Sequence, residues 1–288
     1  MASTRTGGFG IGFRRGWSDW QKDLGSVIQW AKANDFACMD VKGPEEAKQL
    51  TDAGLGIGSV DLPGWKDLIN ADAAVRDKAV DVASKFIRDA AAVGARNFFT
   101  VMLPADPAKK RSENFDLMVA GFKPLMKVLE ACKSQIVIEG WPGPGALCCT
   151  PETCRAFLKA MGSKAAGVNY DPSHLLRMGI DPIRFVREFA DRVFHVHGKD
   201  TEMLGERQYE LGTEQPATLA AGIAFGGGHW RYTIPGHGCM RWTEAFKILA
   251  AAGYKGFVSI ELEDGNFNGT TEGEQRGLVL GRQYLEGC

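Results

Sequence analysis

No apolar run in the chain approaches the roughly 18 residues a membrane-spanning helix needs, and no charged-then-apolar leader is visible at its start. No membrane partner is therefore expected, and the expected location is cytoplasmic. Neither sign of charge is in excess: 34 Lys and Arg stand against 35 Asp and Glu, for a formal charge of −1. A bulk basic field that would recruit nucleic acid or anionic lipid is therefore missing. Cysteine is present, but seven residues make an odd count without a regular framework, which argues against a disulfide scaffold. Cys148, Cys149 and Cys154 cluster without the paired C-x-x-C knuckles of a zinc site, so they read as structural. No linker, low-complexity tract or composition break divides the chain, and residues 1–288 read as one domain.

What is present is a normal globular composition, 44% hydrophobic and 24% charged, on a chain long enough to bury a large core. Strand-like apolar runs alternate with amphipathic helical stretches from end to end. The strands are expected at 8–13, 36–41, 56–62, 97–103, 135–139, 167–171, 193–197 and 256–261. The helices that follow them are expected at 20–33, 45–53, 73–93, 113–132, 151–161, 182–190, 242–252 and 272–285. Eight strand-then-helix units in one chain predict an α/β fold, a single (β/α)8 TIM barrel with a long insertion after strand 7. The competing fold is an open doubly wound sheet, which usually carries a glycine-rich turn after its first strand. GGFGIGF at 7–13 is glycine-rich, but its glycines fall within the strand, so it does not read as a dinucleotide site.

Barrel strands are buried on both faces and should be apolar throughout. Four consecutive strands end otherwise: IVIEGWP with Glu139, VNYDPSH with Asp171, FHVHGKD with His197 and FVSIELED with Glu261. In a barrel these C-terminal ends share one mouth, the face that carries active sites. Unpaired buried carboxylates take up protons unless something compensates them. One divalent cation compensates three carboxylates at once, and hard oxygens with one imidazole suit manganese, magnesium or cobalt, with zinc as a further fit. The bland alternative is a rim of salt bridges.

Residues two apart on a strand share a face. If His197 points into the mouth, His195 lies one layer deeper, as a core or supporting histidine, and Lys199 one layer higher, within reach of a substrate oxygen. The same spacing brings Trp141 to the mouth beside Glu139 as a sugar-stacking wall, and Glu263 beyond Glu261. His174, three residues after Asp171, is placed as a hydrogen-bond donor to substrate. The segment 201–233 is long for a βα loop and is expected to be a lid at the catalytic face. Its GGGHWRY at 226–232 offers hinge freedom and brings Arg231 over a ligand; His229 and His237 are weaker candidates for contact.

These motifs resemble those of the xylose isomerase-like barrel superfamily, in the branch of sugar phosphate isomerases and epimerases. That branch includes D-tagatose 3-epimerase, hydroxypyruvate isomerase, inosose dehydratase, and 3-keto-glycoside epimerases and lyases. The resemblance rests on IVIEG at 136–140, YDPSH at 170–174, VHGKDTE at 196–202, IPGHG at 234–238 and SIELED at 259–264; the first half matches only in its βα rhythm. It implies that Glu139, Asp171, His197 and Glu261 hold one divalent metal ion, manganese first. It also implies that Glu139 and Glu261 are the acid/base pair and that His174 contacts a carbohydrate substrate. The family often forms homo-oligomers, although no residue pattern marks an interface. The expected activity is a metal-dependent sugar isomerase or epimerase working through an enediolate. A dehydratase or lyase on a keto sugar or keto-glycoside would use the same site. A non-catalytic sugar-binding or complex-subunit barrel competes with both. An endonuclease IV-like phosphodiesterase is disfavoured, because five histidines and a neutral chain do not supply a three-metal site and a DNA grip.

Overall fold

The computed structural model describes residues 8–288. The barrel alternates β1 (Ile11–Arg14), α1 (Leu24–Ala33), β2 (Cys38–Val41), α2 (Pro44–Asp52), β3 (Gly56–Asp61), α3 (Ala73–Ala92), β4 (Asn97–Val101) and α4 (Arg111–Ala131). It continues with β5 (Gln135–Glu139), α5 (Pro151–Met161), β6 (Ala166–Tyr170), α6 (Pro172–Arg177), α7 (Pro182–Phe189) and β7 (Val193–Gly198). Then come β8 (Asp200–Met203), α8 (Gly205–Leu211), β9 (Trp230–Thr233), α9 (Trp242–Ala251), β10 (Val258–Ile260) and α10 (Thr271–Glu286). Eight parallel strands close in the order β1-β10-β7-β6-β5-β4-β3-β2, and β8 and β9 pair antiparallel as a separate ribbon. The expected (β/α)8 barrel is thus formed, and the insertion after its seventh strand starts and ends in that ribbon.

Local sequence explains where the helices begin. Thr150 caps α5 by accepting from the Thr153 amide, Pro151 takes the first helical position, and Gly162 ends the helix at φ 61°. Asp23, Asp72 and Asp181 cap α1, α3 and α7 in the same way. Strand side chains alternate between two buried environments. Phe13 points outward and meets Trp30 and Phe36 edge-on at 5.8 and 5.0 Å, while its neighbour Arg14 turns inward.

Several elements differ from the expected bounds. β1 extends to Arg14 and starts later than expected, so Arg14 is a strand residue. β10 is only three residues long, and Glu261 lies one step past its end. PSHLLR after Asp171, expected as loop, forms the short helix α6 because Asp171 caps it and Pro172 occupies its first position. The segment expected as a lid is not loop throughout: its base is the ribbon, followed by one short helix. No described helix is long and apolar enough to cross a membrane.

Candidate functional site

The barrel brings together at one mouth the four strand-end residues that lie far apart in sequence. His197 Nδ1 lies 2.6 Å from Glu139 Oε2, 3.5 Å from Glu261 Oε2 and 3.9 Å from Asp171 Oδ2. The register sets this arrangement, with Glu139 opposite Asn169, Asn169 opposite His195, and His197 opposite Ser259. Asp171 divides its two oxygens between tasks. Oδ1 accepts from the Ser173 amide and hydroxyl at 2.9 and 2.6 Å, which starts α6, while the buried Oδ2 faces the Lys199 ammonium at 3.2 Å and His174 Nε2 at 3.4 Å. His197 Nδ1 is likewise buried, with Glu139 Oε2 as its nearest carboxylate oxygen.

Two imidazoles border the carboxylates, and their other nitrogens fix what each presents. His197 Nε2 lies 3.1 Å from Asp40 Oδ2, an acceptor, so one proton sits on Nε2 and Nδ1 faces the carboxylates, able to offer its lone pair to an ion once its own proton has left. His174 is oriented the opposite way. Arg177 donates to Tyr232 Oη at 2.6 Å, and that hydroxyl lies 2.7 Å from His174 Nδ1. A guanidinium can only donate, so the tyrosine hydrogen points at Nδ1. His174 then carries its proton on Nε2, aimed at Glu139 Oε1 and Asp171 Oδ2 at 3.3 and 3.4 Å. Glu139, Asp171, His174 and Glu261 have donor atoms all within 4.8 Å of one another, and Asp40, His195 and His197 form a second such group beneath them. The partners of the outer nitrogens separate the roles: His197 presents Nδ1, the nitrogen that can ligate an ion on losing its proton, and His174 presents a hydrogen.

Lys199 is almost fully buried, 1% exposed, and its ammonium lies 3.2 Å from Asp171 Oδ2 and 3.0 Å from Glu263 Oε2, with a contact to Glu261 Oε2 as well. Burial alone would lower its pKa, but Asp171, Glu261 and Glu263 outweigh burial and hold it well above the usual lysine value. Glu261 shows the reverse: burial would raise it, but Lys199 and His197 hold it well below the usual carboxylate range. Glu139 is pushed up by burial and by Glu261, yet His197 and His174 bring it below its ordinary value. His197, lowered by burial, is raised well above normal by Glu261 and Glu139.

Three charged residues of the site come from the first half of the barrel, where the sequence reading singled out none. Arg14 at the end of β1 makes a bidentate pair with Asp61 at the end of β3, at 2.7 and 2.8 Å, and reaches Glu261 with Nε at 3.3 Å. Its guanidinium lies 4.4 Å over the Phe99 ring, whose own ring stacks on His197 at 5.3 Å. Asp40 of β2 is fully enclosed. Its Oδ2 takes both His195 Nε2 and His197 Nε2, and its Oδ1 takes the Ser59 amide and the Ser259 hydroxyl. Burial would raise the Asp40 carboxyl, but the two imidazoles hold it well below the usual range. The signal for all three was in the sequence: a charge at the end of an apolar strand in IGFR and GIGSVD, and one residue before the end in CMDV.

The other expected site residues make contacts of their own. β5 ends at Glu139, so the two-residue spacing does not carry on to Trp141, whose indole covers the backbone of Gly143. Arg231 engages Glu202, its ribbon partner, at 2.6 Å and the buried Asp264 at 3.2 Å, so it anchors the ribbon. His237 is exposed, 5.9 Å from the Phe267 ring. His229 is buried in the insertion, where its carbonyl accepts from Leu204. His195 lies under His197 as expected, on Asp40.

A family model described as xylose isomerase-like TIM barrel matches residues 27–285. The uncharacterized protein YfiH of Bacillus subtilis is 34% identical over 180 residues, covering 58% of this chain and 54% of that protein. An inosose dehydratase of Clostridium beijerinckii is 26% identical over 151 residues, covering 52% and 48%. The chain spans about half the length of the curated relatives it matches. Among solved structures, 3-keto-D-glucoside 4-epimerase from E. coli superposes with a TM-score of 0.70 at 14% identity, over 96% of this chain and 99% of that one. A D-psicose 3-epimerase superposes with a TM-score of 0.69 at 15% identity, over 96% and 99%. At those identities the likeness is one of fold. The match from α1 into α10, on a closed eight-stranded barrel, makes this chain a member of the xylose isomerase-like TIM barrel family.

Proposed function

We propose that this barrel is a divalent-metal-dependent sugar isomerase or epimerase acting next to a carbonyl. The observation that carries the reading is the convergence of three buried carboxylates, Glu139, Asp171 and Glu261, on His197 Nδ1, at 2.6, 3.9 and 3.5 Å. Buried carboxylates brought this close repel one another and lose hydration, and a cation between them and the imidazole compensates all three. Glu139, Asp171, His197 and Glu261 would hold it, and their hard oxygens favour manganese, with magnesium, cobalt or zinc as alternatives. When bound, the ion polarises the substrate carbonyl and stabilises the developing enediolate.

The protein's own groups do the rest. One glutamate removes the proton on the carbon beside the carbonyl, and that electron pair moves onto the carbonyl oxygen; the other glutamate returns a proton. Return on the opposite face of the same carbon gives an epimer, and return at the neighbouring carbon an isomer. The Nε2–H of His174, oriented through Tyr232 and Arg177, supplies a directed donor to a substrate oxygen. Lys199 keeps its charge beside Glu261 and favours an oxyanion forming there. The same ammonium supports a second reading. It can stabilise charge on a departing hydroxyl or glycosyl oxygen, while the glutamate that has taken up the C–H proton passes it to that oxygen; the enediolate then becomes the product of a dehydratase or lyase, and inosose dehydratases are among the matched relatives.

Elemental analysis of wild type beside Glu139→Gln, His197→Ala and Glu261→Gln, followed by solvent-deuterium exchange into a panel of keto sugars, tests this. About one divalent ion per chain, reduced in the variants, with deuterium entering the carbon next to the carbonyl, is the expected result. A wild type that holds no metal and takes up no added manganese refutes it.

A further inference from the structure

Outside the carboxylate cluster lies a cavity of about 330 Å³, within the size range of small-molecule sites. Its inner end is Glu261 and Arg14, and its walls include Arg15, Trp17, Phe225 and Glu274. Glu139 does not line it, so the cavity is additional to the space between the two glutamates where the reacting carbon must sit.

The two aromatic residues are exposed to an unusual degree for their size. Trp17, just after β1, is 82% exposed, and the Lys42 ammonium lies 2.9 Å from its ring centroid on one side. Phe225, in the insertion between β8 and β9, is 40% exposed. It also has φ +53°, a region that bulky side chains rarely occupy. Backbone hydrogen bonds hold it there, from the Tyr232 amide to its carbonyl at 2.8 Å and from the Gly226 amide to Ile223 at 3.1 Å. Strain kept at the rim of a site by surrounding structure points to a use for the side chain so positioned.

The charges in the cavity are already matched within the protein. Arg14 is paired with Asp61 and Glu261, and Arg15 with Glu46. Glu274 accepts from the Ser18 hydroxyl and the Trp20 indole. A phosphate here would meet Glu261, Glu263 and Glu274 and no uncommitted guanidinium. Aromatic faces among matched polar groups suit a neutral ring with hydroxyl edges instead. Such a ring buries its C–H face on the aromatic and keeps its hydroxyls toward water.

We infer that this cavity is a second carbohydrate subsite, and that the substrate is an unphosphorylated glycoside whose non-reacting ring lies between Trp17 and Phe225. This rests on the proposed sugar chemistry at Glu139 and Glu261.

The test is solvent-deuterium exchange by the manganese-loaded protein into derivatives of sucrose and trehalose in which one ring hydroxyl has been oxidised to a ketone, beside the equally oxidised glucose and fructose. The wild type is expected to prefer the keto disaccharides by about tenfold or more in kcat/KM. Trp17→Ala is expected to lower that preference about tenfold, chiefly through KM. Phe225→Gly separates aim from fold: glycine relieves the backbone, so the melting temperature should hold or rise while the preference falls. A preference that both variants leave unchanged, or exchange confined to the monosaccharides, overturns the subsite. If neither sugar class exchanges, the subsite falls together with the sugar chemistry, a result told apart by the silence of wild type toward monosaccharides.

Discussion

Replacing Asp40 with asparagine should cost both stability and metal affinity, for one reason. The carboxylate accepts four hydrogen bonds: from His195 Nε2 at 3.0 Å, His197 Nε2 at 3.1 Å, the Ser59 amide at 3.0 Å and the Ser259 hydroxyl at 2.7 Å. Asparagine keeps one acceptor oxygen and turns the other into a donor. If its oxygen faces the imidazoles, its NH2 meets the Ser59 amide donor. If its NH2 faces them, His197 must accept at Nε2 and so carries its proton on Nδ1, the nitrogen expected to bind the ion. In either orientation a buried donor loses its partner in a site 1% exposed, and two charge-assisted bonds are weakened. The expected loss is about 2–4 kcal/mol of folding stability. The misoriented histidine should lower manganese affinity roughly 10- to 100-fold. Urea denaturation of the metal-free protein reads the first quantity, and manganese titration followed by electron paramagnetic resonance the second. An Asp40→Asn protein with unchanged midpoint and unchanged affinity would refute the argument. Lost stability with intact affinity would leave Asp40 as packing and remove its role in setting the His197 tautomer.

Other expectations follow from the same geometry. Gly58→Ala places a methyl 2.1 Å from Asp40 Oδ1 and 2.9 Å from both His195 Cε1 and Ser259 Oγ. It should destabilise by about 1–3 kcal/mol, measured by denaturant midpoint. Lys199→Met leaves Asp171, Glu261 and Glu263 without their internal cation, so the metal-free melting temperature should fall, and added manganese should raise it by more than in wild type; calorimetry with and without metal decides. In the metal-free protein Asp40, Glu139 and Glu261 are held below their unfolded pKa values, so their contribution is complete above about pH 5 and is lost as pH falls through the folded values. Stability should therefore drop on acidification below about pH 4.5, and Glu261→Gln should flatten that slope. His197 is raised instead and must release its proton to bind an ion, so manganese affinity should climb with pH across the neutral range, with proton release seen by calorimetry in two buffers.

The half of the site that could be read from sequence is the half where a charge ends a long apolar strand. Glu139, Asp171, His197 and Glu261 stand out in this way, and the barrel rule then assigns them one mouth. Asp40 carries a similar mark in CMDV, but its meaning depends on His195 and His197, 155 and 157 positions away. Only barrel closure brings those residues together. Lys199 shows that the two-residue rule can carry one step past a strand, since β7 ends at Gly198 and its ammonium still reaches Asp171 and Glu261. Arg231 shows a limit, since GGGHWRY gave no sign that its last residues would pair with Asp200–Met203 and commit the guanidinium to Glu202. Tyr232, from the same ribbon, was not singled out, yet it orients His174.

The ribbon also determines how the insertion is carried. Asp200–Met203 and Trp230–Thr233 are stitched residue for residue, and Thr201 is tied to the Ser173 carbonyl. Whatever lies between the two strands is attached to the barrel through a sealed seam. The stretch between positions 204 and 229 is thus carried on a fixed base and bonded back to it, since the Phe225 carbonyl accepts from the Tyr232 amide and the Gly227 amide donates to the Trp230 carbonyl. The strand that aims His174 through Tyr232 is the same strand that holds Phe225 in place, so the floor of the site and its rim share one hinge-free support.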